Sequence, residues 1–298
     1  MRSKALIFNP FWVAGVIWKH GLSRFITDDR LYLKVAYFLS MNGRVLHLDH
    51  PRTYSEKLQW LKLNEQHEEY TKLVDKVQAK EYVASIISDS HIIPTLGVWE
   101  RFDDIDFDKL PNRFVLKCSH DSQGIVICRD KSQLGIDAAR RKINRCLKRN
   151  YYYCGREYPY RNVPKRILAE QFLVDESGTE LKDYKFFCFD GEVKMLYVAS
   201  ERGKATKFDF FDLDFNHLPF RQSYPTSKKK LAKPKNFDQM IDIARQLSQG
   251  FRHVRVDLYN VNGKIYFGEL TFFNNAGLLP FQPHEWDAKI GEWLKLPV

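Results

Sequence analysis

One short stretch near the carboxyl end, RVDLYNVNGKIYFGELTF (residues 255–272), constrains the fold more than any other part of the chain. Its two apolar segments flank Asn262-Gly263 and predict a β-hairpin, because Asn-Gly is a preferred pair for a tight turn between antiparallel strands. Each strand nevertheless carries an acid, Asp257 or Glu269, where a core strand normally carries an aliphatic residue. The hairpin therefore predicts carboxylates in a half-buried place.

The turn decides whether the two acids share a face of the hairpin. A two-residue Asn-Gly turn pairs Asp257 with Gly268 and puts Glu269 on the opposite face. A three-residue loop that includes the preceding valine instead sets Glu269 opposite Arg255 and diagonal to Asp257. Carboxylates that lie close together need a cation, a shared proton or a guanidinium to offset their repulsion. If Arg255 alone supplies this charge, the cluster is purely structural. Both registers stay open at this point.

Length and composition predict a globular protein with anionic partners. A chain of 298 residues with 44% hydrophobic residues can bury a large core, and we expect two or three subdomains. The 47 Lys and Arg residues against 37 Asp and Glu give a net charge of +10, which favours a nucleotide, nucleic acid, acidic glycan or anionic membrane surface. Five cysteines without a CxxC pair fit a reducing compartment better than a disulfide framework or zinc site.

The first 25 residues contain an apolar run from Ala5 to Trp18 that is too short to span a membrane and is interrupted by Asn9-Pro10. They lack an A-x-A cleavage pattern, so a secretory signal is not expected. Aromatic side chains flanked by basic ones fit a helix on an anionic membrane surface, and a helix docked on the protein's own core is the alternative. We expect a cytoplasmic protein, with association at the inner face of the cytoplasmic membrane left open.

The rest of the chain alternates helical and strand patterns. Residues 28–90 are predicted to be mainly helical, with a helix start at Thr53 or Ser55. Strands are predicted in HIIPTLGVW, NRFVLKCSHDSQGIVICRD, RILAEQFLV, DYKFFCFDGEVKMLYVAS and TKFDFFDLDFNH. Further helices are predicted in residues 132–150, in NFDQMIDIARQLSQG and in WDAKIGEWLKLPV.

Four segments carry residues suited to nucleotide binding. Lys76 lies in LVDKVQAKEYV, on one face with Lys80, and would point either to phosphate or to solvent. Lys117 leaves an apolar strand before a loop of small polar residues, whose N–H groups can face phosphate oxygens. Glu170-Gln171 interrupts an apolar strand, either to meet the edge of a heterocycle or because the strand lies at a sheet edge. The acidic hairpin is the fourth segment, since magnesium takes one or two carboxylates together with substrate phosphates.

In this order the segments resemble the ATP-grasp superfamily, and more closely the teichuronopeptide-type (TupA-like) ATP-grasp proteins of capsule and cell-wall polysaccharide loci. The resemblance covers roughly residues 28–298 and is carried by TYSEKLQWLKL, LVDKVQAKEYV, FVLKCSHDSQG, REYPYRNVPKRILAEQFL, LKDYKFFCFDG and VRVDLYNVNGKIYFGELTF. It implies an ATP-grasp fold of two α+β lobes with antiparallel sheets that clasp ATP. The implied regions are a helical N-terminal region (1–70), an N-terminal or central subdomain (71–115), a lid with a phosphate-covering loop (116–173) and a C-terminal subdomain with the metal site (174–298).

The resemblance also implies ATP and Mg²⁺ as cofactors and assigns roles to individual residues. Thr271 stands where the superfamily usually has an Asn metal ligand, and Asn274, Asn275 or water would then complete the metal shell. The implied metal ligands are Asp257, Glu269 and Thr271. The implied catalytic residues are Arg255, Lys117 and Arg202. The implied nucleotide-binding residues are Lys76, Lys117, Ser119, His120, Asp121, Ser122, Gln123, Gly124, Ile125, Glu170, Gln171, Phe172, Leu173, Asp183 and Lys207.

The function that the resemblance implies is a carboxylate-amine ligase that works through an acyl phosphate. Teichuronopeptide-type proteins are associated with joining amino acids to uronic-acid polymers, so an amide between a hexuronate and an amino acid is the leading expectation. The positive net charge fits such an acidic glycan, and contact with an anionic membrane or a lipid-linked glycan is an open alternative. The residues expected to contact substrate are Arg156, Tyr160, Arg161, Asn274 and Asn275.

Other classes of function make different predictions. A glycosyltransferase of the same pathway would need a DxD-like metal motif, for which DLD at residues 212–214 is the candidate. A nucleic-acid-binding module would show a steep salt dependence of binding, but no RRM, zinc-finger or helix-turn-helix pattern is present, so nucleic acid is not an expected partner. A catalytically degenerate ATP-grasp protein is disfavoured by the intact lysines and acids.

Overall fold

A computed structural model describes residues 10, 11, 15, 25–202 and 205–297 of the chain. The membrane-surface helix predicted in the first 25 residues lies almost entirely outside the described residues. Within those residues, no helix is long and apolar enough to cross a membrane.

The region predicted to be helical consists of four helices. Their bounds are Asp29–Ser40 (α1), Tyr54–Asn64 (α2), Glu69–Val74 (α3) and Gln78–Ile87 (α4). Thr53 is the N-cap of α2: its hydroxyl accepts from the Glu56 amide, and the Glu56 carboxylate accepts from the Thr53 amide. This capping box satisfies two otherwise unpaired amides and explains why the helix begins there.

A four-stranded antiparallel sheet follows. Its strands are Thr95–Trp99 (β1), Phe114–Cys118 (β2), Ile125–Cys128 (β3) and Ile167–Gln171 (β4), in the spatial order β1-β4-β2-β3. Helix α5 (Ile136–Leu147) packs Ala139, Ile143 and Cys146 against this sheet. Because β4 lies inside the sheet, the edge-strand alternative for Glu170-Gln171 is wrong. The predicted boundary at residues 115/116 falls within β2, and the subdomain limits stay a prediction.

A five-stranded antiparallel sheet forms the larger core. Its strands are Asp183–Phe189 (β5), Glu192–Ser200 (β6), Lys207–Phe211 (β7), His253–Val261 (β9) and Lys264–Thr271 (β10), in the order β10-β9-β5-β6-β7. The short strands Arg221–Gln222 (β8) and Phe281–Gln282 (β11) pair with each other. The remaining helices are Tyr152–Gly155 (α6), Phe237–Ser248 (α7) and Glu285–Trp293 (α8). The predicted strands and helices are therefore confirmed.

The acidic hairpin adopts a register that neither alternative anticipated. Asn262 and Gly263 form a two-residue turn in which both have positive φ, at 53° and 87°, with the flanking residues paired across it. A bulge at Gly268 then shifts the register by one residue, so that Glu269 pairs directly with Asp257. The three-residue loop is wrong, yet the acids share a face because the bulge supplies the shift that the turn does not.

The bulge depends on a residue without a side chain at position 268. A Cβ added to Gly268 would lie 3.0 Å from the backbone oxygen of Asp257 and 3.1 Å from the ring of Tyr259. Backbone cannot give way cheaply at such a distance, so the glycine fixes how closely the two strands approach beside the acids.

We expect Gly268→Ala to destabilise the protein by about 2 kcal/mol, because the added methyl group overpacks the bulge. Urea unfolding measures this change. Lys264→Ala, at an exposed position on the same strand, is the control and should change the free energy of unfolding by less than about 0.5 kcal/mol. Equal stability of the two variants would contradict the requirement for glycine.

Candidate nucleotide and metal site

A cavity of about 710 Å³ lies between the two larger sheets. Its apolar wall comes from β2, β3 and α5, and Arg202 and Tyr259 line it from the five-stranded sheet. Gln171, Phe172 and Leu173 line it where β4 ends, and the Phe172 ring lies 4.2 Å from the guanidinium of Arg113. A mostly apolar cleft with a few charged groups at one end suits a heterocycle attached to phosphates.

Glu170 holds two lysines at the polar end of this cavity. Its buried carboxylate lies 2.5 Å from Nζ of Lys117 and 2.6 Å from Nζ of Lys80. Burial raises the pKa of Glu170, but the two ammonium groups outweigh burial and hold it below its usual value. The side chain of Glu170 therefore positions the two lysines. Only its backbone could make the predicted contact with adenine.

Lys80 belongs to this arrangement although the sequence did not single it out as a site residue. The prediction that Lys76 and Lys80 share a helical face is wrong, because α4 begins at Gln78 and Lys76 precedes it. Nζ of Lys80 also donates to the Ile93 oxygen at 2.8 Å. A lysine on a helix that pairs with a buried acid on a distant strand leaves no signal in a single sequence.

Lys76 connects the polar loop between β2 and β3 to the acidic hairpin. Its Nζ donates to the backbone oxygen of Asp121 at 3.1 Å and lies 3.9 Å from Oε2 of Glu269. Arg149 binds the buried carboxylate of Asp121 through Nε at 2.9 Å, and that carboxylate also accepts from the Gln123 amide. Asp121 thus caps and anchors the loop, which places Lys76 between the loop and the acids.

The first residues of this loop are turned away from the cavity, which corrects two predicted phosphate contacts. The Ser119 hydroxyl donates to the Pro164 oxygen at 2.7 Å, and its amide donates to the Arg166 oxygen at 2.8 Å. Nε2 of His120 lies 3.1 Å from the Cys146 oxygen on α5. Burial lowers the pKa of His120 and favours its neutral form. Both residues fasten the loop to its surroundings.

The other residues of this loop differ in exposure and in their contacts. Ser122 is exposed and donates to the Tyr151 hydroxyl at 3.0 Å. Gly124 is buried, and a Cβ there would lie 2.5 Å from Sγ of Cys118, so the close return of the loop requires glycine. Ile125 lines the cavity.

Arg255 is the centre of the acidic cluster on the hairpin. Its Nε and Nη2 bind the two oxygens of Asp257, each at 2.7 Å, and Nη2 also lies 3.1 Å from Oε1 of Glu269. Nη2 donates to Thr271 Oγ1 at 3.0 Å, and Nη1 donates to Asn274 Oδ1 at 2.8 Å. One guanidinium therefore orders both acids and the two polar residues that follow them.

A second cation, Lys185, joins the acids from the neighbouring strand. Its Nζ contacts Asp257 and lies 2.7 Å from Oδ2 of Asp183, which Arg202 also contacts at 3.0 Å. Oδ1 of Asp183 is buried and has no hydrogen-bond partner in the described part of the chain. Lys185 was not predicted, although a lysine two residues after Asp183 in DYKFF places both on one face of a strand.

The donor set fits a magnesium ion. Burial raises the pKa of Asp257 to about 6 against the opposing effect of Arg255 and Lys185. Burial also raises that of Glu269, but Lys76, Lys185 and Arg255 outweigh it and hold this pKa well below its usual value. The side chain of Glu269 is 34% exposed, so solvent reaches it. Residues 25–202 and 205–297 contain no cluster of three or more His, Cys, Asp or Glu side chains for a metal, and magnesium needs only one or two carboxylates with phosphates.

Several predicted substrate contacts have other roles in the structure. Arg156 is buried: it donates to the Ile26 oxygen at 2.6 Å and lies 3.3 Å from Asp29, so it is not exposed to a uronate. Asn274 is also buried, between Arg255 and Gln222. Its neighbour Asn275 donates to the same Gln222 oxygen at 3.0 Å.

Three other predicted contacts lie at different depths. Arg161 is exposed, and its guanidinium lies 5.3 Å from the Tyr152 ring. Tyr160 is partly buried against the core. Lys207, predicted to bind nucleotide, begins β7 opposite Ser200 and is not among the described residues that line the cavity.

The motif expected for the alternative function has a structural explanation. Asp212, at the start of DLD, accepts from the amides of Asp214 and Asn216 and closes the turn after β7. This carboxylate is used within its own turn.

Comparison with known proteins identifies the family. The model of the TupA-like ATP-grasp family matches residues 56–295, which is well over half of the chain. The chain belongs to the TupA-like ATP-grasp family. ATP-grasp enzymes are ligases that use ATP and Mg²⁺, so the α+β ATP-grasp fold and these cofactors are confirmed. No curated protein sequence matches the chain significantly.

The solved structures that are similar to this ATP-grasp chain have low sequence identity to it. D-alanine–D-alanine ligase from Bacillus anthracis is 16% identical over 67% of this chain and 56% of that chain, with a TM-score of 0.38. The ADP complex of N5-carboxyaminoimidazole ribonucleotide synthetase is 12% identical over 80% and 56%, with a TM-score of 0.42. In two matched structures of D-alanine–D-alanine ligases, from Bacillus anthracis and Helicobacter pylori, the chain spans 56% and 61% of the ligase, which is less than two thirds.

We expect Glu170→Gln to lower the free energy of unfolding by about 3 kcal/mol, because it leaves the ammonium groups of Lys80 and Lys117 buried without their carboxylate. Urea unfolding at neutral pH measures the loss. Glu176→Gln is the control, since Glu176 is 60% exposed in its ion pair with Lys182 and its removal should cost less than about 1 kcal/mol. A loss below that of the control would refute the role of Glu170.

The difference in free energy of unfolding between wild type and Glu170→Gln should depend on pH. The pKa of Glu170 is lower in the folded protein than in the unfolded chain, so its ion pairs stabilise the fold above the unfolded pKa of about 4.3. The difference between wild type and Glu170→Gln should therefore narrow as the pH falls below about 4. A difference that widened in acid would contradict the assigned ion pairs.

Proposed function

We propose that the protein is a carboxylate-amine ligase that joins an amino acid to a hexuronic acid of a capsular or cell-wall polysaccharide, with ATP converted to ADP and phosphate. The observation that supports this most is the placement of Arg255 between Asp257 and Glu269, on the strand whose Tyr259 lines the same cavity as Lys117. A guanidinium, two acids and a lysine beside an apolar cleft are the groups needed to hold a triphosphate and a reacting carboxylate.

The chemistry starts with transfer of the γ-phosphoryl group of ATP to the substrate carboxylate. A carboxylate oxygen attacks the γ-phosphorus, the bond to the β-phosphate oxygen breaks, and an acyl phosphate and ADP form. Lys117 and Lys76 neutralise phosphate oxygens, and Arg255 orients the acyl group. Magnesium, which Asp257 and Glu269 would hold, supplies further neutralisation of the phosphate charge. An amine then displaces phosphate, so no covalent nucleophile of the protein is needed.

The rest of the site would bind the nucleotide base and ribose. Residues 171–173 would surround adenine at the end of β4, as their position in the cavity supports. Asp183 would accept from ribose through Oδ1, which is its unpartnered oxygen among the described residues. Arg202 lines the same cavity and would contact phosphate.

An acidic glycan is the proposed acceptor because of charge and surface chemistry. The net charge of +10 attracts polyanions, and the exposed Arg161 beside Tyr152 offers a guanidinium and an aromatic ring to a uronate. Peripheral contact with an anionic membrane or lipid-linked glycan is supported by the exposed apolar side chains of Leu31, Phe38 and Val45. We propose that the reaction takes place at the cytoplasmic side of the membrane.

A phosphate-release assay tests the proposed substrates. ATP, Mg²⁺ and free glucuronate or galacturonate are combined with each amino acid of a panel, and phosphate is measured. Release that requires both a uronate and an amino acid supports the proposal. Release that depends on neither, or on a nucleotide sugar, contradicts it.

We expect Asp257→Asn and Glu269→Gln each to lower phosphate release at least about 100-fold, because each removes charge that positions the transferring group. Thermal unfolding verifies that the variants are folded. Asp209→Asn is the matched control, since Asp209 is a buried acid on β7 of the same sheet that does not line the cavity. Near-normal turnover in both acidic variants would show that the metal assignment is wrong.

A further inference from the structure

Glu157 is a buried carboxylate beside the acidic cluster, and the nucleotide site does not use it. The residue is 5% exposed and lies in the segment that links α6 to β4. Among the hydrogen bonds and ion pairs of the described residues, none involves its carboxylate, and its oxygens are not among the fully enclosed side-chain atoms that lack a partner. A buried carboxylate without a partner is costly, so its retention points to a ligand that pairs with it.

Lys62 is the nearest candidate partner, but its donors are already used. Its three N–H groups donate to Gln59 Oε1 at 2.9 Å and to the oxygens of Gly155 and Ala276, each at 2.7 Å. An ammonium group has only three donors. Lys62 therefore stabilises Glu157 through space and leaves its oxygens open to another cation.

The position of Glu157 is fixed by a close approach of two backbone segments. A Cβ added to Gly155 would lie 2.8 Å from the Cβ of Ala276 and 3.2 Å from Oε1 of Glu157. Gly155 thus lets Glu157 approach the turn that follows the acidic hairpin. In that turn, Asn275 and Ala276 both have positive φ, at 50° and 56°, and Gln59 and Lys62 on α2 hold it by its oxygens.

Glu157 interacts electrostatically with residues of the acidic cluster on the hairpin. Lys62 from α2 and Arg255 from β9 act on it as cations, Glu269 from β10 acts as an anion, and Tyr160 from its own segment lies nearby. Burial outweighs the two cations and raises the pKa of Glu157 to about 7. The group is thus suited to exchange a proton near neutral pH.

We propose that Glu157 binds the primary ammonium group of the amine substrate and accepts a proton from it before the amine attacks the acyl phosphate. This inference rests on the proposed ligase function and specifies its second substrate: a compound with a protonated primary amine. Glu157 is then a catalytic residue, because it contacts the reacting amine.

The proton and bond changes balance. The ammonium loses one proton to Glu157, the free amine attacks the acyl carbon, the C–N bond forms and the bond from carbon to the phosphate oxygen breaks. The second proton leaves the nitrogen and is taken up by the departing phosphate. The products are the amide, hydrogen phosphate and protonated Glu157, which returns its proton to solvent.

Hydroxylamine provides the test, because it is largely unprotonated at neutral pH and needs no base before it attacks an acyl phosphate. Wild type and Glu157→Gln are given ATP, Mg²⁺ and glucuronate, with either hydroxylamine or the most active amino acid of the panel. We expect the variant to lose about 100-fold in amino-acid-dependent ADP formation and to keep hydroxamate formation within about threefold. The acidic limb near pH 7 of the wild-type rate with amino acid should disappear.

Each other outcome has a defined meaning. An equal loss of both reactions, or a loss of neither, overturns the role of Glu157. Absence of hydroxamate and amide in wild type overturns the proposed function, and the inference with it. If Glu157→Gln does not fold, Glu157→Asp takes its place: it keeps the carboxylate farther from the amine, so a selective loss supports the inference and an equal loss overturns it.

The control is Asp209→Asn, which removes another buried acid, from β7 of the five-stranded sheet. Asp209 accepts from the Ser227 amide at 3.0 Å and does not line the cavity. This variant is expected to lose stability without changing the ratio of amide to hydroxamate formation. A ratio that changed as in Glu157→Gln would show that the selectivity reflects general destabilisation.

Discussion

The site depends on one crowded interaction, the pairing of Asp257 and Glu269 across adjacent strands. Two carboxylates in this place repel each other unless positive charge is shared between them. Arg255 supplies that charge from the same strand as Asp257, and its remaining donors reach Thr271 and Asn274. The arrangement that prevents repulsion therefore also orders the polar groups that follow the hairpin.

The two larger sheets divide the charged groups of the cleft between them. Glu170 on the four-stranded sheet holds Lys80 and Lys117, whereas Asp183 on the five-stranded sheet holds Lys185 and Arg202. Lys80 comes from α4, whose buried residues pack in the core of the five-stranded sheet, so its ion pair with Glu170 links the two sides. A bound triphosphate would have to compete for these cations, and the cations are already positioned when it arrives.

The helices and strands were predictable from local sequence patterns, and the ATP-grasp fold was predictable from the resemblance of six motifs. The details of the site were predictable only in part. Alternating strands and the capping box at Thr53 are local signals. The bulge at Gly268 is not, because Asn-Gly alone specifies a register without it. Lys80 was missed as a site residue because it lies on a helix and its partner, Glu170, lies on a strand 90 residues further along the chain. Ser119 and His120 were assigned to phosphate because their burial against distant residues cannot be read from the loop.

Helix α2 of the N-terminal region contributes directly to the structure of the site. Gln59 and Lys62 on α2 together donate to the oxygens of Ala276 and Gly277, in a turn whose backbone has positive φ at three successive residues. Such a backbone is costly for residues other than glycine and persists only where its surroundings hold it. This turn directly follows the acidic hairpin. Helix α2 therefore helps to hold the backbone next to Asp257 and Glu269 in place. The sequence motif TYSEKLQWLKL thus belongs to the same functional unit as the acids, although more than 190 residues separate them.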